Sequence, residues 1–148
     1  MARARQRLSR DPKLKRLSQV RLFSTCSRRD LSRIAALTAE IDVPAGRVLM
    51  RQGDPGREAF VVEEGTAKAT IRGRRSDRIR PGDCFGEMAL LHDAPRSATV
   101  TAETDMRLLV LSAREFWAML DEVPSVARKI MAVMAERLRE AERAQPHH

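Results

Sequence analysis

No stretch of this 148-residue chain is apolar for long enough to cross a bilayer, the longest apolar runs being only a few residues. The N-terminus is basic but lacks the apolar segment of a signal peptide, so a cytoplasmic, reducing setting is expected. Cysteine is scarce. Cys26 and Cys84 show no metal-ligand spacing and read as free thiols, buried as small hydrophobes. Three histidines offer no metal cluster, and no cofactor is expected. His92-Asp93 finds no Ser or Cys nucleophile with a partner His elsewhere, so it reads as a solvated loop and the chain as a non-enzyme. Internal repeats are absent, as is low-complexity sequence beyond an N-terminal arm.

What is present is one domain's length with an ordinary balance of 43% hydrophobic and 32% charged residues, enough for a sizeable core. The net charge of +8 is uneven. Residues 1–21 hold eight basic residues (Arg3, Arg5, Arg7, Arg10, Lys13, Lys15, Arg16 and Arg21) against Asp11 alone, leaving the body nearly neutral. Residues 1–13 are expected as a disordered arm, 14–143 as the domain and 144–148 as a tail. No aromatic interleaves the basic stretch, which favours a solvated tail. The alternative is a nucleic-acid- or acidic-partner-binding protein that acts through this basic N-terminal arm, with weak nucleic-acid or anionic-surface contact through residues 1–21. His147 and His148 are assigned no function.

Along the chain, Leu14 to Phe23 suits a short helix, with apolar residues at 14, 17, 20 and 22. Ser27 with Asp30 resembles an N-cap for a helix to about Thr38, buried along Leu31, Ile34, Ala35 and Leu37. The period then shifts to strands. Ile41-Asp42-Val43 and Val48-Leu49-Met50 precede the turn Gln52-Gly53-Asp54-Pro55-Gly56. Ala59 to Val62 is a β run, and Ala67, Ala69 and Ile71 alternate with polar neighbours. Gly73-Arg74-Arg75-Ser76 reads as a loop and Pro81-Gly82-Asp83 as a turn. Thr99 to Ala102 and Met106 to Leu111 read as strands, so the short strands together indicate an all-β roll or barrel. Ser112 and Glu115 form a capping box for a helix from Ala113 to Leu120. Pro124 opens a last helix to about Arg143, with Val126, Ile130, Val133, Met134, Leu138 and Ala141 on its apolar stripe.

The segment Phe85-Gly86-Glu87-Met88-Ala89-Leu90-Leu91-His92-Asp93-Ala94-Pro95-Arg96-Ser97-Ala98-Thr99 carries the chemistry. A turn running into a helix start exposes backbone N–H groups suited to an anion. Arg96 can fork onto phosphate oxygens, and ionised Glu87 accepts only hydrogen bonds, so it suits a hydroxyl. A phosphate clamp beside a sugar-hydroxyl acceptor is what a small cyclic nucleotide needs.

Gly86-Glu87-x-Ala89-Leu90 followed by Pro95-Arg96-Ser97-Ala98 resembles the phosphate-binding cassette of cyclic nucleotide-binding domains, the family of catabolite activators, protein kinase A regulatory subunits and cyclic nucleotide-gated channels. Gly46, Gly53-Asp54, Gly65 and Gly82-Asp83 fall where that family's turns fall, and the likeness covers roughly residues 14 to 143. It implies an antiparallel, jelly-roll-like β-roll with N-terminal helices, a short cassette helix and a C-terminal lid helix. It also implies a regulatory receptor whose cassette and lid move on binding, and so act on a protein effector. About five residues follow the last helix, too few for a DNA-binding module, so the effector is expected in trans or the chain as a regulatory piece. In the family's terms, Glu87 receives the ribose 2′-hydroxyl and Arg96 the cyclic phosphate.

The implied ligand-binding set is Phe85, Gly86, Glu87, Met88, Ala89, Arg96, Ser97, Ala98 and Arg137. Within it the side chains of Phe85, Met88 and Ala89 read as packing, as do Leu90 and Leu91. Ser97 is compatible with cAMP or cGMP, with cAMP preferred. Arg137, about forty residues past Arg96, lies where some bacterial channel domains place a base-stacking arginine, and Met134 and Leu138 are the apolar alternatives.

Overall fold

A computed structural model describes residues 12–144; the first eleven residues of the basic arm and the tail from 145 lie outside it. The chain starts with helix α1 (residues 12–18), a 3-10 turn at Arg21–Phe23 and α2 (Arg28–Leu37). The single helix expected from Leu14 to Phe23 is thus two pieces. Leu14, Leu17, Val20, Leu22 and Phe23 are still all buried, because the break at 19–20 keeps them on one side. Ser27 caps α2 by accepting from the Asp30 N–H at 3.1 Å. The helical segment also takes up residues 12 and 13 of the expected arm. Lys13 donates to the carbonyls of Ala35 and Thr38, each at 2.9 Å.

Eight strands follow: β1 (Ala39–Val43), β2 (Val48–Met50), β3 (Glu58–Glu64), β4 (Ala67–Ile71), β5 (Arg74–Ile79), β6 (Cys84–Phe85), β7 (Thr99–Ala102) and β8 (Met106–Ser112). They form two antiparallel sheets with strand orders β1-β8-β3-β6 and β2-β7-β4-β5. Helix α3 (Glu87–His92) interrupts the strands between β6 and β7, and α4 (Ala113–Glu122) and α5 (Pro124–Ala144) close the described chain. Ser112 and Glu115 make the complete capping box of α4, and Pro124 is the first residue of α5.

In the first sheet β3 and β8 are buried on both faces. Ala59, Val61, Leu109 and Leu111 point to a core shared with Leu17, Phe23, Ile34, Phe116, Met119 and Val126 of the helical layer. Phe60, Val62, Met106, Leu108 and Val110 point the other way, into the roll, against Ala67, Val100 and Ala102 of the second sheet. That is why β3 and β8 read as unbroken apolar runs whereas β4, on a sheet with a wet outer face, alternates. On α4 the only tryptophan, Trp117, lies exposed, edge-on to the fully buried Phe116 with ring centroids 6.1 Å apart.

Two expectations are corrected. Residues 74–76 are not a loop: β5 begins at Arg74, and the turn is only Arg72-Gly73, both at positive φ (53° and 78°), as a two-residue hairpin turn with right-handed twist requires. Leu138 is 63% exposed and is not core, since α5 leaves the body beyond Met134.

At the junction of the helical layer and the first sheet, Arg16 of α1 clasps two carboxylates. It reaches Glu40 of β1 at 2.8 Å and Glu63 of β3 at 3.1 Å. The Glu63 side chain is 2% exposed, and its Oε1 has no hydrogen-bond partner.

Candidate functional site

The site is built on a turn that only glycine fits. Gly86 joins β6 to α3 at φ +85°, in the left-handed region. A Cβ there would stand 2.7 Å from Arg96 Nη1 and 3.0 Å from the Glu58 carbonyl oxygen. The backbone therefore approaches the arginine as closely as a side-chain-free residue permits.

Arg96 is 7% exposed and held from several sides. Its guanidinium donates to the carbonyls of Gly86 and Glu58, each at 2.8 Å. Its own backbone is tied to the 51–57 loop, with Arg96 N–H on Asp54 O at 2.8 Å and Gly53 N–H on Arg96 O at 2.9 Å. The adjacent Pro55 and Pro95 form an isolated bridge. A Cβ on Gly56 would be 2.2 Å from Ala89 Cβ and 3.3 Å from Arg96 Cζ, so that loop lies directly on the cassette. Burial lowers the pKa of Arg96, against the pull of Glu58 and Glu87; an arginine nevertheless stays charged. Two of its five N–H donors are engaged by these carbonyls.

Glu87, the first residue of α3, is 4% exposed. Burial raises its pKa, opposed by backbone hydrogen bonding and by the charges of Arg137 and Arg96. Arg137 reaches it from α5: Nη1 donates to Glu87 Oε1 at 2.9 Å and Nη2 to Cys84 O at 3.3 Å. Between α5 and the cassette lies a cavity of about 30 Å³, bordered by Cys84, Glu87, Ile130, Met134 and Arg137. It has room for a water or two.

The structure thus brings Gly86, Glu87, Arg96 and Arg137 together. Arg137 sits on the carboxylate of Glu87 rather than standing free. Ser97, next to the clamp, is exposed, and Ala98 is buried in the roll core. Phe85 packs as expected, stacked on Phe60 with centroids 4.8 Å apart. Ala89 and Leu90 are buried and Leu91 partly so, but Met88 is 52% exposed, a correction. One residue past Glu87 on α3, a side chain turns about 100° away, off the roll. Sequence reasoning missed Gly56 and the Glu58 carbonyl. Gly56 was visible as turn chemistry, but its closeness to Arg96 is long-range, and a backbone acceptor leaves no mark on residue type.

Among the described residues no group of His, Cys, Asp and Glu could hold a metal, and no helix is long and apolar enough to cross a membrane.

Comparison with known proteins gives the same picture. Residues 40–123 match the family model described as "Cyclic nucleotide-binding domain". The cAMP-dependent protein kinase regulatory subunit of Neurospora crassa is 36% identical over 122 residues, covering 81% of this chain and 32% of the relative. The chain therefore spans about a third of that relative's length. Among solved structures, the Thermus thermophilus catabolite activator protein aligns with a TM-score of 0.74 at 32% identity, covering 82% of this chain and 59% of that one. The regulatory domain of Toxoplasma gondii protein kinase A, crystallised with cAMP, aligns at 0.76 and 25% identity, covering 86% and 50%. With its matched sequence, its β-roll and its Gly86–Glu87–Arg96 cassette, the chain belongs to the cyclic nucleotide-binding domain family.

Proposed function

We propose that the chain is a cAMP receptor module, regulatory and non-catalytic, working in the cytoplasm, in which binding repositions the cassette and α5 and so biases a protein effector. The observation that carries this is the buried Arg96, fixed by two backbone carbonyls with three N–H donors left over, one short helix away from a buried carboxylate. A buried cation so placed is pre-organised for a phosphate, and Glu87 for a sugar hydroxyl. Gly86 and Ala98 with the neighbouring amides contribute backbone contacts. Ser97 offers a hydroxyl beside the phosphate, with cAMP favoured over cGMP. Arg137 exchanges the carboxylate of Glu87 for the purine face when nucleotide enters, which makes α5 the element that registers occupancy. The basic arm is secondary in this reading, since Lys13 and Arg16 are engaged inside the body.

Calorimetry and thermal melting test it. Millimolar cAMP raises Tm by mass action, and AMP, whose phosphate is not cyclised, does much less. Arg96→Ala weakens cAMP binding by about 2–5 kcal/mol, the usual cost of breaking a buried charge pair. Unchanged melting in nucleotide-free protein defeats the receptor reading. Wild-type affinity in a folded Arg96→Ala protein places the phosphate elsewhere.

A further inference from the structure

The β4–β5 hairpin is the most strongly charged described feature of the body, and the cassette makes no use of it. From residue 68 to 80 it carries Lys68, Arg72, Arg74, Arg75, Arg78 and Arg80 against Asp77 alone, a net charge of +5, while the rest of the body is net acidic. β5 is the last strand of its sheet, so among the described residues its outer row of backbone N–H and C=O groups has no strand beside it. An edge needs only a charge or two to discourage mispairing. This hairpin goes further, at a cost. Lys68 on β4 stands directly opposite Arg78 on β5, a like-charge cross-strand pair, which is destabilising. Glu103 answers only part of the charge, reaching Arg75 at 3.2 Å and Arg78 at 3.3 Å. The side chains of Lys68, Arg72, Arg74 and Arg80 make no ion pair among the described residues, although the Arg80 backbone N–H donates to Asp83 Oδ2 at 2.8 Å. A local rule broken with no compensation inside the chain points to compensation from outside.

We propose that the β5 edge is a docking site for an extended acidic protein segment, which adds as a strand beside β5 and lays alternate carboxylates along its arginines. Arg74, Arg75 and Arg78 lie on β5 and Arg80 follows directly after its last residue, so cations run the length of the edge along which an added strand would present alternate side chains. Guanidinium forks bind carboxylates two-pronged, and five of the six cations are arginine. Arg75, Asp77, Arg78 and Arg80 line an open depression on this edge. Ile71, 42% exposed at the tip, offers an apolar end contact. The hairpin holds no aromatic on which a nucleic-acid base would stack. A second copy of the same edge brings its own positive charge and is repelled.

The test uses the full chain and a fluorescent twelve-residue peptide with Glu at every second position and Val or Thr between. Binding by anisotropy at physiological salt should fall at least tenfold in the triple variant Arg74→Glu, Arg78→Glu, Arg80→Glu, with cAMP affinity and Tm retained. Amide exchange of β5 should slow when peptide is bound. A peptide of the same composition with its Glu residues in one block should bind at least fivefold more weakly. Equal binding of the two peptides, or unprotected β5 amides, overturns strand addition. Tighter binding of single- or double-stranded DNA through the same arginines overturns the choice of partner. Loss of cAMP binding in the wild type leaves this proposal standing, because the hairpin shares no residue with the cassette.

Discussion

Glu63 is a carboxylate of which only one oxygen is served. Its neighbours are Lys13 and Arg16 from α1 and Glu40 from β1, and Glu40 in turn feels Arg107 of β8, itself 3.0 Å from Asp42. Burial, then the hydrogen bond and charge of Glu40, push Glu63 from the ordinary 4.5 up to about 7. Burial also works against Glu40, but its hydrogen bonds with Glu63 and Arg16 and the charge of Arg16 hold it below the usual value. The pair therefore shares a proton over the acidic range. The fold binds the Glu63 proton more tightly than the unfolded chain does, so stability falls as pH rises from about 4.5 to 7 and levels off above. Removing that charge with Glu63→Gln should stabilise the protein at pH 8 by on the order of 1–3 kcal/mol relative to pH 5. Urea unfolding at both pH values measures it, and parallel wild-type and variant profiles would sink the assignment. At Gly86 the effect is on the backbone. Gly86→Ala should cost at least about 1–2 kcal/mol for a left-handed residue alone. It should also weaken cAMP binding, because the new methyl meets Arg96 Nη1. An alanine variant with unchanged melting and affinity would show that the turn has slack.

At the scale of elements, what was legible followed from how local its cause is. The capping box of α4 could be read because Ser112 and Glu115 settle it between themselves. Pro124 marks the start of α5 by chemistry confined to one turn. The cassette was readable for the same reason, its glycine, carboxylate and arginine lying within one short segment. The hairpin at Arg72-Gly73 was not, because an arginine at positive φ is a concession to the pairing of β4 with β5, which residue types do not announce. Leu138 was misplaced because a helix's apolar stripe does not say where the surface beneath it ends. From 135 to 140 α5 is exposed, and on that stretch Arg137 is the one described hydrogen-bonded tether, 47% exposed with its guanidinium on Glu87. Arg137→Ala should hasten amide exchange over residues 135–144 in the free protein. With nucleotide it should speed release by the equivalent of roughly 0.5–2 kcal/mol, for cAMP and cGMP alike. Were release unchanged in that variant but faster in Met134→Ala, the contact from α5 to the base would be apolar.

For the molecule as a whole, the double-sided first sheet decides how stability is distributed. β3 and β8 contribute to the roll core with one set of side chains and to the helical core with the other. Neither core can open without stripping a face of the same strands, so the described body should unfold as one unit. Free energy gained from a ligand at the cassette would then reach the helices without a dedicated pathway.

Trp117 makes that coupling visible by light. With no tyrosine and a single tryptophan in the chain, near-ultraviolet emission comes almost wholly from one indole, resting on α4 against buried Phe116. Its fluorescence reports the helical layer and nothing of the roll directly. A urea titration followed by Trp117 emission should nonetheless shift to higher denaturant when cAMP is added, in step with far-ultraviolet circular dichroism. Separate midpoints for the two signals would mean that the layers part company.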